Sequence, residues 1–242
     1  MKLISLLLCI SLTGISPQNQ EKKSLQYAIE LAFTTCITTK SDQPLEELVT
    51  ALTSAFEQED TISTRYWLSY AYYYQALFAG EINKNEKRAE RLIDTATSLL
   101  KPSNTDSESL ALLSLQTGYS IRFKSYFSMM NLGQDSKEYA KKALEINANN
   151  LRAYYALALN NFYTPKVFGG GSEVEFYLKK ALSLTETTKA ENKPIWGKES
   201  VYELLIKHYQ KEEKGSLATK YLIEGLELFP DSKLLKGLKK PL

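Results

Sequence analysis

The chain has 242 residues, 43% hydrophobic and 24% charged, with 30 lysines and arginines against 28 aspartates and glutamates. That apolar content excludes bulk disorder, and a formal charge of +2 is no electrostatic footprint for nucleic acid. A single histidine and two cysteines give poor material for a His-based triad, a two-histidine metal site or a His/Cys zinc cluster. No cofactor, metal site or enzyme activity is therefore expected.

Residues 1–18 read as a secretory signal peptide. Lys2 precedes an apolar run from Leu3 to Leu12, followed by small or turn-forming residues up to Pro17. The run is too short to cross a bilayer as a helix, which takes roughly 20 residues, and no later stretch reaches that length. The chain is expected to be exported, periplasmic or extracellular if bacterial, with no stable membrane span. Cys9 follows Leu8, a poor setting for a lipid anchor, and would leave with the signal. Cys36 is in helical register with Leu25, Ala28, Ile29, Ala32 and Phe33 and reads as a buried hydrophobe.

Residues 19–58 are expected to form an N-terminal helical hairpin that caps the fold. Its second helix places Leu45, Leu48, Val49, Leu52, Ala55 and Phe56 on one face. A third helix, capped by Asp60 or Thr61, runs to a stop at Gly80 and is apolar nearly all round, which places it inside the fold. Asn83 with Glu86 opens a fourth, with Ala89, Leu92, Ile93, Ala96, Leu99 and Leu100 as its stripe. Thr105 with Glu108 begins a long helix expected over 106–132, in which Gly118 marks a close helix contact. After Gly133, Asp135 with Glu138 starts another, burying Tyr139, Ala140, Ala143, Leu144 and Ile146. A helix from Leu151 must end at Tyr163, because Thr164 precedes Pro165. The VFGGG run then leads to a helix capped by Ser172 with Glu175, and further helices are expected over 194–209 and 216–228. Residues 232–242 form a basic tail, expected to be solvated. No period-2 run signals a strand.

The last helix pair carries a repeat. Tyr202, Leu205, Ile206 and Tyr209, then Ala218, Leu222, Gly225 and Pro230, meet the spacing of Trp-x2-Leu-Gly-x2-Tyr, Ala-x3-Phe and Pro. Tyr154, Leu157 and Ala158 with Leu178 and Ala181 fit after an insertion, as do Trp67, Ala71 and Tyr74 with Ala89, Ile93 and Ala96. Over residues 59–231 the chain resembles a divergent tetratricopeptide-repeat protein. The resemblance implies an all-α, right-handed solenoid of antiparallel helix pairs, about ten helices in all. It also implies a concave face lined by first helices, which carries across as Arg65 and Tyr72 in the early pair and Arg152, Tyr155, Asn160 and Tyr163 in the later one. Arginine among tyrosines suits recognition of a carboxylate. Equally open is a closed interior filled by tyrosines, its arginines paired with local glutamates.

His208 reads as a packed or surface histidine. FGGGSEVE lacks the GxxxxGK[ST] spacing of a phosphate cradle, and Glu173 and Glu175 would repel an anion there. The resemblance therefore implies a non-enzymatic exported scaffold binding a protein or peptide partner in its concave face. The alternative is a periplasmic small-ligand carrier similar to the T components associated with TRAP transporters.

Overall fold

The computed structural model describes residues 24–103, 105–185 and 193–238. The expected signal peptide and its cleavage site lie outside these residues. Among the described residues there is no strand, and helices account for nearly the whole chain: α1 Leu25–Thr39, α2 Gln43–Gln58, α3 Ile62–Leu77, α4 Glu86–Leu100, α5 Ser107–Ser120, α6 Tyr126–Ile146, α7 Leu151–Tyr163, α8 Val174–Ser183, α9 Lys198–Lys211, α10 Gly215–Leu228 and the short α11 Lys233–Lys236. Within each of two compact units successive helices pack as antiparallel pairs; among the described residues the first unit holds 24–103 with 193–194 and the second 105–185 with 195–238.

In the first unit the apolar stripes close on one another. Ile29 and Cys36 of α1, Leu45 of α2, Trp67, Leu68 and Ala71 of α3, and Ala89, Ile93 and Ala96 of α4 are all buried. Burial raises the Cys36 thiol pKa, so it stays protonated. Thr61 caps α3 in a reciprocal box with Thr64. Gly80 does not stop that helix. The chain continues through one π-helical turn, Phe78–Ile82, and Asn85 rather than Asn83 caps α4 by accepting from the Arg88 amide. Arg88 also ties α4 to α2 through Asp42 and Glu46.

The second unit stacks three pairs. Gly118 lets α5 approach α6, since a side chain there would press on Ser136 Oγ at 3.4 Å. The same contact is cemented by Ser114 Oγ donating to the Ser136 carbonyl at 2.6 Å and Ser136 Oγ to the Ser114 carbonyl at 2.9 Å. The expected break at Gly133 does not occur. Gly133 lies inside α6 with open space around it, and the chain turns instead at the 3-10 segment Ile121–Phe123. In the last pair Leu205, Ile206 and Tyr209 of α9 and Ala218 of α10 are fully buried. Gly225 lets α10 close on its neighbours, because a Cβ there would meet Leu235 at 2.9 Å and Tyr202 at 3.3 Å. This corrects the expectation of a solvated tail from residue 232. Ser232 caps α11 and bonds Glu199, while Leu235 is fully buried.

Candidate binding site

The six residues expected to line a groove are divided between the two units. Arg65 and Tyr72 stand on α3 in the first unit, and the other four on α7 in the second. Arg65 pairs with Asp60, reaches the Leu99 carbonyl at 3.4 Å and lies 5.4 Å from the Phe56 ring centroid. Tyr72 is half-buried.

Arg152 is 4% exposed. Its Nε donates to Glu108 Oε2 at 2.5 Å, Nη2 to Glu108 Oε1 at 3.0 Å and Nη1 to the Trp196 carbonyl at 2.7 Å, and the guanidinium lies over the Trp196 ring. The bidentate geometry expected for a partner's carboxylate is thus satisfied inside the chain. This corrects the groove expectation for Arg152, whose carboxylate partner is Glu108 of α5 in the same unit. Tyr155 packs half-buried against the core of α8 to α10, and Asn160 Nδ2 donates to the Gly133 carbonyl at 3.0 Å, joining α7 to α6.

Tyr163 differs. It is 72% exposed and stands at the mouth of a cleft of about 280 Å³ formed by the end of α7, the loop after it and the end of α9. Pro165 holds Thr164 in an extended conformation, so α7 ends at Tyr163, and the Thr164 hydroxyl donates to the Asn160 carbonyl at 2.8 Å. The loop then makes a 3-10 turn over Lys166–Phe168 and passes through Gly169 and Gly171 at φ of 84° and 87°. Gly170 between them admits no side chain, since a Cβ would fall 1.7 Å from the Thr164 carbonyl oxygen. Asn161 pins the loop from α7: its Nδ2 donates to the Gly169 carbonyl at 3.3 Å, its Oδ1 accepts from the Glu173 amide at 3.0 Å, and its carbonyl accepts from the Gly171 amide at 2.9 Å.

Phe162, His208, Lys211, Lys166 and Glu212 complete the lining. Lys211 Nζ sits 4.6 Å from the Phe162 ring centroid and 3.4 Å from the Phe162 carbonyl oxygen. Lys166 pairs with Glu212 at 3.2 Å, and its hydrogen bond holds that carboxyl below the usual carboxylate range. His208 is buried, and burial lowers its pKa, so the imidazole is neutral near pH 7. The cleft therefore offers an aromatic wall, two ammonium groups against one carboxylate, and the exposed ring of Tyr163, and the loop that forms one side of it also carries exposed Val167 and Phe168. Such a lining can take an apolar side chain that carries or adjoins a negative charge.

The fold is a helical repeat of the tetratricopeptide type. The crystal structure of TTC0263, a thermophilic tetratricopeptide-repeat protein of Thermus thermophilus, matches at a TM-score of 0.58 with 15% identity, over 88% of this chain and 95% of that one. HusA, a haemophore from Porphyromonas gingivalis, matches at a TM-score of 0.53 with 21% identity, over 79% of this chain and 96% of that one. No family model and no curated protein matches the sequence. The similarity lies in the fold: the chain is all-α and tetratricopeptide-repeat-like.

Proposed function

We propose that the chain is a non-enzymatic scaffold that binds a peptide segment of a protein partner, with the cleft beside Tyr163 as its anchor. In this reading Tyr155 and Asn160 belong to the concave first-helix face leading to the cleft, and Arg65 and Tyr72 to the corresponding face of the first unit. One observation carries the reading. The cleft joins a cationic, aromatic lining to the exposed ring of Tyr163, beside a loop that Asn161 and Gly170 hold in one shape and that carries exposed Val167 and Phe168. The expected ligand is an extended segment with an aromatic or aliphatic residue next to a carboxylate. Selection from a random peptide library against the full chain, followed by fluorescence anisotropy, tests this. Lys211→Glu is expected to weaken the selected peptide at least tenfold, which corresponds to about 1.4 kcal/mol; unchanged affinity in the folded variant removes the cleft from the binding surface.

A second reading is favoured by His208. A neutral imidazole beside an aromatic wall and two lysines suits a planar anionic ligand, and one protein of similar fold is a haemophore. Titration with haem decides it: a Soret shift in wild type that disappears in His208→Ala supports carriage, and no shift ends this reading. Export is also proposed, on the strength of residues 1–18, and implies a mature N-terminus between residues 15 and 21 on sequencing of the secreted chain.

A further inference from the structure

His208 reaches the Tyr163 cleft from α9 as a buried polar side chain that its own chain leaves unpartnered. The residue is 4% exposed, yet among the described residues nothing hydrogen-bonds its ring nitrogens. The sealed side-chain atoms that lack a partner there are Ser109 Oγ and Tyr209 Oη, so the imidazole nitrogens open onto the cleft that His208 lines. A polar group this enclosed is ordinarily hydrogen-bonded, and the cleft is where a partner fits. Lys211, one turn further along α9, meets no carboxylate among the described residues; its ammonium rests on the Phe162 ring and carbonyl. The other charges around the imidazole are paired. Lys166 of the loop holds Glu212 of α9, and Lys214, at the turn into α10, lies 3.8 Å from Glu175 of α8, which also pairs with Lys179. From α7 the cleft receives only the Phe162 ring and the Tyr163 phenol. Among the described residues no three His, Cys, Asp or Glu side chains converge, so the imidazole is not part of a metal site built from them.

We propose that His208 and Lys211 together receive a carboxylate of the bound peptide, so that binding takes up a proton and the cleft holds its peptide more tightly in acid than at neutral pH. The inference rests on the reading of the cleft as a peptide site. A neutral imidazole offers the carboxylate one N–H, whereas an imidazolium offers a charged donor whose bond is roughly twice as strong. In the free chain burial, with the ammonium groups of Lys214 and Lys211, holds the proton off His208 against the pull of Glu212 and Glu175. A carboxylate arriving within about 4–6 Å of the ring reverses that balance, because an opposite charge favours the charged imidazole. The proton comes from solvent, and no covalent bond of the chain or the peptide changes.

His208 is the only histidine of the chain, so its Cε1 proton resonance in the untagged full chain reports this site alone. Its titration is followed with and without saturating library-selected peptide. The His208 pKa is expected to rise by at least about one on binding, and anisotropy to give at least about fivefold tighter binding at about pH 5.5 than at pH 8. His208→Gln, which keeps a donor but takes up no proton, should bind with equal affinity at both ends of that range. The same peptide with its acidic side chains changed to amides and its C-terminus amidated should leave the imidazole titration as it is in the free chain. A peptide that binds without moving the His208 pKa, a selected peptide with no carboxylate, or the same pH dependence in His208→Gln overturns the proton uptake and leaves the peptide site standing. Failure to select a peptide, or selection of one that Lys211→Glu binds unchanged, removes the cleft and this proposal together.

Discussion

Replacing Arg152 by methionine separates a structural arginine from a ligand-binding one. The guanidinium is buried, makes two bonds to Glu108 and one to the Trp196 carbonyl, and lies over the Trp196 ring. Removing it leaves a carboxylate and a carbonyl without their donor. Breaking a buried ion pair from one side costs about 3–5 kcal/mol. The Glu108 side chain is 21% exposed and recovers some hydration, so the expected loss is near the lower end, about 3 kcal/mol. For a chain of this size that corresponds to a fall in Tm of about 6–12 °C. Urea unfolding of the full chain, followed by helical circular dichroism, measures it. Arg152→Met combined with Glu108→Gln should cost less than the two single changes added together, with a coupling of at least about 1 kcal/mol. A loss below about 0.5 kcal/mol for Arg152→Met, or strict additivity, refutes the reasoning and returns Arg152 to the candidate ligand-facing residues.

Burial holds the His208 pKa below its ordinary value, about 6.5 in unstructured peptides. As pH falls the unfolded chain takes up this proton first, so the contribution of neutral His208 is fully present above about pH 7 and is lost as pH drops below about 6.5 toward the depressed folded value. His208→Gln should flatten the stability slope between about pH 5 and 7, read as urea midpoints at the two ends; an unchanged slope assigns the pH dependence to other groups. Gly170→Ala drives a Cβ into the Thr164 carbonyl. It should displace the loop and cut peptide affinity at least tenfold with little change in Tm, since the loop closes no core, and retained affinity shows that loop shape does not govern binding. Trp67 is almost fully buried among Tyr66, Tyr70 and its core neighbours, so Trp67→Ala should destabilise the chain by about 3–5 kcal/mol. A loss under about 1 kcal/mol would place that side chain outside the core.

Most of the fold was legible because alanine and leucine at helical spacing can only be packing faces. The Ala89, Ile93, Ala96 and Leu100 stripe is buried, and so are Ala140, Ala143, Ala218 and Leu222. The α5–α6 boundary was not legible. The chain turns at Ile121–Phe123 without a proline or glycine, whereas Gly133, which looks like a stop, continues α6 because no neighbour demands a break. Arg152 shows a different limit. Its residue type announced carboxylate recognition correctly, but Glu108 lies 44 positions before it and Trp196 44 after it, and no local pattern tells an internal carboxylate from a partner's. The cleft was half visible. The Pro/Gly interruption after Tyr163 marks its loop, while the convergence of that loop on His208, Lys211 and Glu212 depends on how α9 stacks against α7.

The proposal that the Tyr163 cleft anchors a peptide is tested most directly by where a bound peptide lies. A library-selected peptide carrying a photoreactive side chain, cross-linked to the full chain and mapped by mass spectrometry, is expected to label residues 162–171 and 207–212. Labelling confined to the Tyr72 face of α3, or spread over the surface without preference, would contradict it.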